Sequence, residues 1–458
     1  MIRRCDDSPA AEPPAVRIET LGCKVNQADS EALAAELLRQ GYRIAGRDQR
    51  PALIVVNTCT VTHVADAKAR KLIRRLARAN PQAALIVTGC YAQRAPAELS
   101  RLPGVARIVP NLSKPDLPRI ICELAAPPLV TSQEAICDMS ASGPRPARPG
   151  SVRAFVAAQD GCDHRCSYCI VPSVRGLMRS RPIADVLAEM CAFGAAGARE
   201  LVICGMRLGA YGEEPRGRGL ARLLRATRDL PAARLRLSSI EPWDLGEELI
   251  AEIAAHPRLC SHLHLPLQSG DDGILRAMGR PHSLDDYRAV IERLRLALPD
   301  IAITSDLMVG FPGESDRAFE NTLRAVDAIG FARAHVFRYS RRPGTRAAVM
   351  PGHAPEPVKA VRAARLIQAT QASARRFAAR FIGRVVPVLF EECVRGMCRG
   401  LSDTYLLARA PGDPSLIGHV AGIAVLAVEN NHIAGRLACP TAAKRPVAAR
   451  VVELRPLR

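Results

Sequence analysis

Three short runs of branched apolar residues near the start of the chain each end in a turn and a cysteine. They are VRIETLG (16–22) before Cys23, ALIVVNTC (52–59) ending on Cys59, and ALIVTGC (84–90) ending on Cys90. Runs this short, branched-apolar and closed by turn residues, read as buried parallel strands. Helical patterns near 27–40, 62–79 and 93–101 separate them. Strand and helix in alternation predict an open α/β domain with a parallel sheet. In such a sheet the carboxyl ends of successive strands lie along one edge, where these domains bind ligands. Three thiols distant in sequence are therefore expected to meet in space. The bland alternative is that each cysteine packs as a small apolar residue.

The alternation resumes later with a longer period. RAFVAAQD (153–160), ELVICG (200–205), RLRLSS (234–239), SHLHLPLQ (261–268), IAITSDLMVG (301–310) and RAHVFRYS (333–340) read as strands. Helices are expected near 183–196, 245–255, 284–298 and 315–329. Six βα units are too few for a complete eight-fold barrel, so a partial (β/α)6 barrel is predicted. SASGPRPARPG (140–150) reads as a linker. Residues 355–382 read as one long helix. GRVVPVLFEE (383–392) opens a region of strand character whose length suits a small all-β barrel. The expected domains are 14–126, a linker at 127–150, 151–382 and 383–447.

Just after the first strand of the second domain stands GCDHRCSYC, with Cys162, Cys166 and Cys169 in C-x3-C-x2-C spacing. Three thiolates on one tight loop can hold three irons of a four-iron cluster and leave the fourth open to a small molecule. Zinc is the rival, but a structural zinc site wants four ligands and no second cysteine pair lies nearby. His164 sits inside the same loop, which makes it an awkward fourth ligand. Of the other nine cysteines, only Cys393 and Cys398 show any spacing, and all nine are read as structural or incidental.

The chain has fifteen cysteines among 458 residues, no apolar leader at its start and no run long enough to span a bilayer. A reducing cytoplasm is expected, without a disulfide framework. Lys and Arg number 64 against 45 acids, a formal charge of +19. That balance favours a polyanionic partner. Aromatics are 4% of the chain, which argues against extensive base stacking. The basic residues cluster. Lys68, Arg70, Lys71, Arg74, Arg75 and Arg78 follow Cys59. Arg338, Arg341, Arg342 and Arg346 stand at the last barrel strand, and Arg375, Arg376 and Arg380 lie on the long helix. A charge run is usually a solvated face, yet basic surface near cysteine loops suits a folded RNA.

These motifs together resemble the radical S-adenosylmethionine (SAM) methylthiotransferases. The resemblance rests on the C-x3-C-x2-C signature with an aromatic before its last cysteine, and on the three cysteines ahead of it. It continues through LGAYG (208–212), LSSIEP (237–242), HLHLPLQSGDDGILRAMGR (262–280), VGFPGE (309–314) and FRYSRRPGT (337–345). The C-terminal piece resembles a TRAM domain, a small RNA-binding barrel, although GLSDTYLLARA (400–410) matches loosely. GCKVNQADSE and NTCTVT are most similar to the branch acting on N6-threonylcarbamoyladenosine beside the tRNA anticodon. The other branches act on isopentenyladenosine or on a ribosomal-protein aspartate.

The resemblance implies two 4Fe-4S clusters: a SAM-binding one on Cys162, Cys166 and Cys169, and an auxiliary one on Cys23, Cys59 and Cys90. It implies SAM as co-substrate, tRNA as substrate, an electron donor such as flavodoxin or ferredoxin, a sulfur donor, and no membrane. Tyr168, Gly205, Glu241 and Gln268 are expected to border the SAM site. Asp306, at a strand end, reads either as a site residue or as a structural carboxylate. A non-catalytic iron–sulfur RNA-binding protein is the remote alternative.

Overall fold

The computed structural model describes residues 14–46, 48–124, 152–213, 217–230, 232 and 234–438. The expected linker falls wholly outside them, as do Cys5, Cys137 and Cys439. The chain divides into two compact units near Phe377.

The first unit opens on a five-stranded parallel sheet. Its strands are β1 (Ala15–Thr20), β2 (Arg43–Ile44), β3 (Leu53–Thr58), β4 (Ala84–Gly89) and β5 (Val105–Val109), in the order β2-β1-β3-β4-β5. The three runs anticipated from sequence form its centre, and β3 is buried at every position. The edge strands β2 and β5 were not anticipated. β2 has two residues, and β5 carries Arg107 and is half exposed, so neither shows an apolar run. Helices α1 (Lys24–Arg39), α2 (His63–Ala79), α3 (Cys90–Arg94), α4 (Pro96–Leu99) and α5 (Leu117–Leu124) connect and cover the strands. The single helix expected over 93–101 is instead two. Ala95 leaves helical geometry at φ −143°, because a residue before proline is driven out of the α region, and Pro96 starts the next helix.

Six further parallel strands follow: β6 (Arg153–Ala157), β9 (Glu200–Cys204), β10 (Arg234–Leu237), β11 (His262–His264), β12 (Ala302–Val309) and β13 (Arg333–Arg338). A short ribbon, β7 (Gln159–Asp160) with β8 (Arg179–Ser180), lies between the first two. Two ladders, β6-β9-β10 and β11-β12-β13, are joined by bridges Leu235–Leu259 and Ser239–His264. The result is the anticipated partial barrel. Its helices are α6 (Val171–Arg175), α7 (Ile183–Ala195), α8 (Arg218–Ala226), α9 (Glu247–Ala255), α10 (Asp272–Ala277), α11 (Leu284–Ala297), α12 (Asp316–Ile329) and α13 (Glu356–Ala379). One apolar core, including Val156, Leu201, Leu235, Leu263, Ile303 and Phe331, runs between sheet and helices. Inside it Glu200 is fully buried, and Arg153, Arg234 and Arg236 reach it at 2.5–2.9 Å. Those three cations hold its carboxyl well below the usual carboxylate range despite burial.

The second unit is a closed five-stranded barrel. Strands β14 (Val385–Val394), β15 (Met397–Ser402), β16 (Leu407–Pro411), β17 (Val420–Glu429) and β18 (His432–Leu437) close in the order β14-β15-β16-β18-β17. Closure removes the exposed edges that so small a sheet would otherwise present. Of the two roles expected for them, structural or incidental, Cys393 and Cys398 take the structural one: they stand opposite each other in the β14–β15 hairpin and form a disulfide. The hairpin register puts five-apart residues face to face, which the sequence spacing alone does not show.

Candidate metal centres

Each N-terminal cysteine stands where a central strand ends. Cys23 caps the start of α1 after β1, Cys59 directly follows β3, and Cys90 opens α3 after β4. Two glycines let these loops close on one another. Gly22 has φ +112°, and a Cβ there would lie 2.6 Å from the Cys59 Cβ. Gly89 has φ +98°, and a Cβ there would meet the Thr58 carbonyl oxygen at 2.3 Å. Any larger residue is excluded at both positions by sterics as well as by backbone preference.

Two buried asparagines lace the loops together. Asn26 Nδ2 donates to the carbonyls of Leu21 (2.8 Å) and Thr58 (3.0 Å). Asn57 Nδ2 donates to the Asn26 carbonyl (2.9 Å) and to Ser30 Oγ (3.0 Å). Cys59 and Cys90 are buried and Cys23 is exposed at the sheet edge. Burial pushes the Cys59 thiol up to about 12, and the charges of Cys90 and Cys23 push in the same direction. The three thiols thus share one electrostatic neighbourhood.

The second triad lies on the loop after β7. Its backbone is pinned from three sides. Cys162 N–H donates to the Gly176 carbonyl (3.2 Å), and Cys169 N–H to the Cys166 carbonyl (3.1 Å). Ser167 donates twice to the end of α10, through N–H to Met278 O (2.8 Å) and through Oγ to Ala277 O (2.9 Å), while Ala347 N–H donates to Ser167 O. Burial raises Cys162 to about 11 and Cys169 to about 12, with Cys166 adding to both.

Buried thiols that raise one another's pKa stay protonated unless a cation takes the proton's place. Among the described residues no three His, Cys, Asp or Glu side chains converge on a single-ion site. A four-iron cluster spreads its ligands over its corners, so three thiols around it need not meet at a point. Three thiolate donors and one open iron suit each triad.

Of the other expected site residues, Tyr168 lies on the second triad's own loop, and Glu241 reaches it through Arg280. Tyr168 packs against Ile274, Met278 and Phe311. Gly205 directly follows β9, and a Cβ there would come 2.8 Å from Gln159 Oε1. Gln268 has φ +70°, held by its N–H donating to Asp306 O and its carbonyl accepting from Met308 N–H, both 2.8 Å. That left-handed backbone is costly for glutamine and is sustained by the ladder on either side. Asp306 pairs with His264 at 3.3 Å.

Glu241 is gripped by Arg280 through two bonds of 3.1 and 2.6 Å. Arg280 was not singled out from sequence, although it closes the LRAMGR motif. It is buried, also donates to the Pro266 carbonyl (2.7 Å), lies 4.0 Å from Cys166 Sγ and stands 4.6 Å over the Trp243 ring. Trp243 in turn lies between His164 and His282, with centroids 5.0 and 5.2 Å away. Arg175, also missed, ties the two triads' surroundings together. It donates to Asp160 (2.8 Å), to Asp29 (3.0 Å) and to Asn26 Oδ1. Asn111 adds a second tie, with Nδ2 3.4 Å from Cys90 Sγ and 2.8 Å from the Val174 carbonyl.

Comparison with known proteins follows this division. Residues 15–110 match the Uncharacterized protein family UPF0004, and residues 156–326 match the Radical SAM superfamily. A tRNA-2-methylthio-N(6)-dimethylallyladenosine synthase of Novosphingobium aromaticivorans is 38% identical, over 94% of this chain and 98% of that protein. A threonylcarbamoyladenosine tRNA methylthiotransferase MtaB of Thermotoga maritima is 37% identical, over 85% and 90%. Among solved structures, the radical S-adenosylmethionine methyltransferase TsrM of Kitasatospora setae shares the fold with a TM-score of 0.52 at 16% identity, covering 74% of this chain and 77% of that one. No helix among the described residues is long and apolar enough to cross a membrane.

Proposed function

We propose that this chain, which belongs to the radical SAM methylthiotransferase family, adds a methylthio group to C2 of N6-threonylcarbamoyladenosine beside the anticodon of tRNA. Family membership makes it an enzyme that uses an iron–sulfur cluster and SAM. The observation that carries the fuller reading is the shared neighbourhood of Cys23, Cys59 and Cys90 at one sheet edge, in the same compact unit as the C-x3-C-x2-C loop. On this reading residues 14–126 hold an auxiliary 4Fe-4S cluster. Residues 151–382 hold the SAM-binding cluster on Cys162, Cys166 and Cys169, and 383–447 form a TRAM-like RNA-binding barrel.

When bound, the two clusters and SAM would supply a 5′-deoxyadenosyl radical, able to take hydrogen from the unactivated C2, and the sulfur that replaces it. The protein's own residues hold and shield. Gly22 and Gly89 let the three auxiliary thiols approach, and Asn26 and Asn57 fix their loops. Arg280 holds Glu241 in one orientation beside Cys166, where with Tyr168, Gly205 and Gln268 it would border SAM. An electron donor such as flavodoxin or ferredoxin and a sulfur donor complete the partners.

The threonylcarbamoyl branch is supported by relatives named MtaB from Thermotoga maritima and Bacillus subtilis, and by the residues around Cys23 and Cys59. A second reading, isopentenyladenosine in tRNA, is supported by the 38%-identical relative named for the dimethylallyl substrate. Nucleoside mass spectrometry of tRNA from cells lacking the gene decides between them. Loss of the methylthio form with accumulation of threonylcarbamoyladenosine is expected. Accumulation of isopentenyladenosine would move the assignment to the second branch, and unchanged nucleosides would remove tRNA as the substrate.

A further inference from the structure

We propose that the exposed face of α2 is a docking rail for an RNA phosphate backbone, with Lys68, Lys71, Arg74, Arg75 and Arg78 as its phosphate contacts. This rests on tRNA being the substrate, and it adds where on the N-terminal sheet domain the RNA is held.

The sequence carries several basic clusters, and the structure separates them. Most cations around the last barrel strand and the long helix are already engaged. Arg342 is buried against Asp66 at 2.6 Å, and Arg346 donates to the Arg165 carbonyl at 2.6 Å. Arg338 faces Glu356, Arg365 faces Glu320 and Arg376 faces Asp327. On α2 only Arg70 is engaged, with Tyr91 and Glu98 at 2.6 and 2.9 Å. The other five are exposed and make no ion pair among the described residues. The one acid of the helix, Asp66, is buried and held by Arg94 and Arg342.

Their positions form a stripe. At 100° per residue, Lys68, Lys71, Arg74, Arg75 and Arg78 fall within about 120° of arc. The buried residues Asp66, Ala69, Ile73 and Leu76 occupy the opposite arc. From Lys68 to Arg78 the stripe runs about 15 Å along the helix. Several of its members are three or four apart, where like charges repel. No local acid relieves that repulsion, so its relief comes from a polyanion outside the chain. A membrane surface fits poorly, because an interfacial helix needs a free apolar face and that of α2 is spent on the domain core.

The rail is fixed relative to the triads. α2 begins four residues after Cys59. Its first N–H, at His63, donates to Ser340 Oγ (3.0 Å), and Thr62 caps it by accepting from Ala65 N–H (3.1 Å). With Asp66 locked to Arg342, the N-terminal end of the helix is bolted to the loop after β13 at the mouth of the partial barrel.

The test uses the full-length protein and tRNA carrying N6-threonylcarbamoyladenosine, with dissociation constants measured across a range of KCl. The variant carries Lys68→Gln, Lys71→Gln, Arg75→Gln and Arg78→Gln. Its affinity is expected to fall at least about 10-fold at low salt, and the slope of log K against log salt to shrink by about 3. A charge-keeping variant with Lys68→Arg, Lys71→Arg, Arg75→Lys and Arg78→Lys should keep most of the affinity. Thermal melts matching wild type establish that the glutamine variant is folded. An unchanged slope in that variant, with wild type binding normally, overturns the rail. Wild type that fails to bind tRNA at all would instead overturn the substrate reading.

Discussion

The two cysteine triads reach the same donor set by opposite routes. Cys162, Cys166 and Cys169 share one loop, and their spacing is covalent. Cys23, Cys59 and Cys90 each follow a different strand, and the sheet, with the loops laced across its edge, brings them together. A loop site has its spacing set by its own backbone, with distant residues only pinning it in place. A sheet-edge site is only as good as the packing of the whole domain. The first is therefore readable as a motif, and the second only as a consequence of topology.

That contrast can be broken most sharply at the cysteines themselves. Cys166→Ala is expected to abolish SAM cleavage, assayed anaerobically as 5′-deoxyadenosine, while the other site keeps its visible absorption. Loss of all bound iron would mean the two sites are not independent. Cys59→Ala should block thiolation while some SAM cleavage persists. If both activities vanish with the first cluster intact, the division of labour is wrong.

Gly89→Ala tests dependence on the fold. A Cβ 2.3 Å from a carbonyl oxygen, at φ +98°, must displace β3 or β4. A destabilisation above about 3 kcal/mol is expected, together with loss of about half of the reconstituted iron, the half held by the sheet. Iron retained in full would show that the sheet edge tolerates more than its packing suggests.

Glu200→Gln asks the same of the partial barrel. It removes the carboxylate charge that Arg153, Arg234 and Arg236 share, the last two of them buried, and a cost of about 3–5 kcal/mol is expected from denaturant melts.

The effect that is smallest near neutral pH concerns His282. Burial lowers its pKa from 6.5 to about 3, and among the described residues neither ring nitrogen has a hydrogen-bond partner. The unfolded chain takes up a proton below pH 6.5 and the folded one does not. Stability is thus complete above pH 6.5 and falls as pH drops from there towards 3, by at most about 1.4 kcal/mol per unit. His282→Phe should flatten that part of the pH–stability curve, and an unaltered curve would place the proton uptake elsewhere.

What could be read from residues alone tracks local physics. The apolar runs marked β1, β3 and β4, and the cysteine after each marked the edge where they meet, because strand direction in a βα series is set by chain order. The strands of the partial barrel were legible for the same reason. Residues whose role depends on a distant partner were not. Arg280 is one basic residue among many until Glu241, Pro266 and Trp243 surround it. Arg175 shows its purpose only when Asp29, far earlier in the chain, is beside it. Cys393 and Cys398 needed the hairpin register to become a pair.

By itself the sequence determined the donor types, the strand order that aims them at one edge, and the net positive charge. Tertiary structure alone decided which charges stay free. Ion pairing depends on distance through space, and only the folded chain takes Arg338, Arg342 and Arg376 into pairs while leaving the outer face of α2 bare.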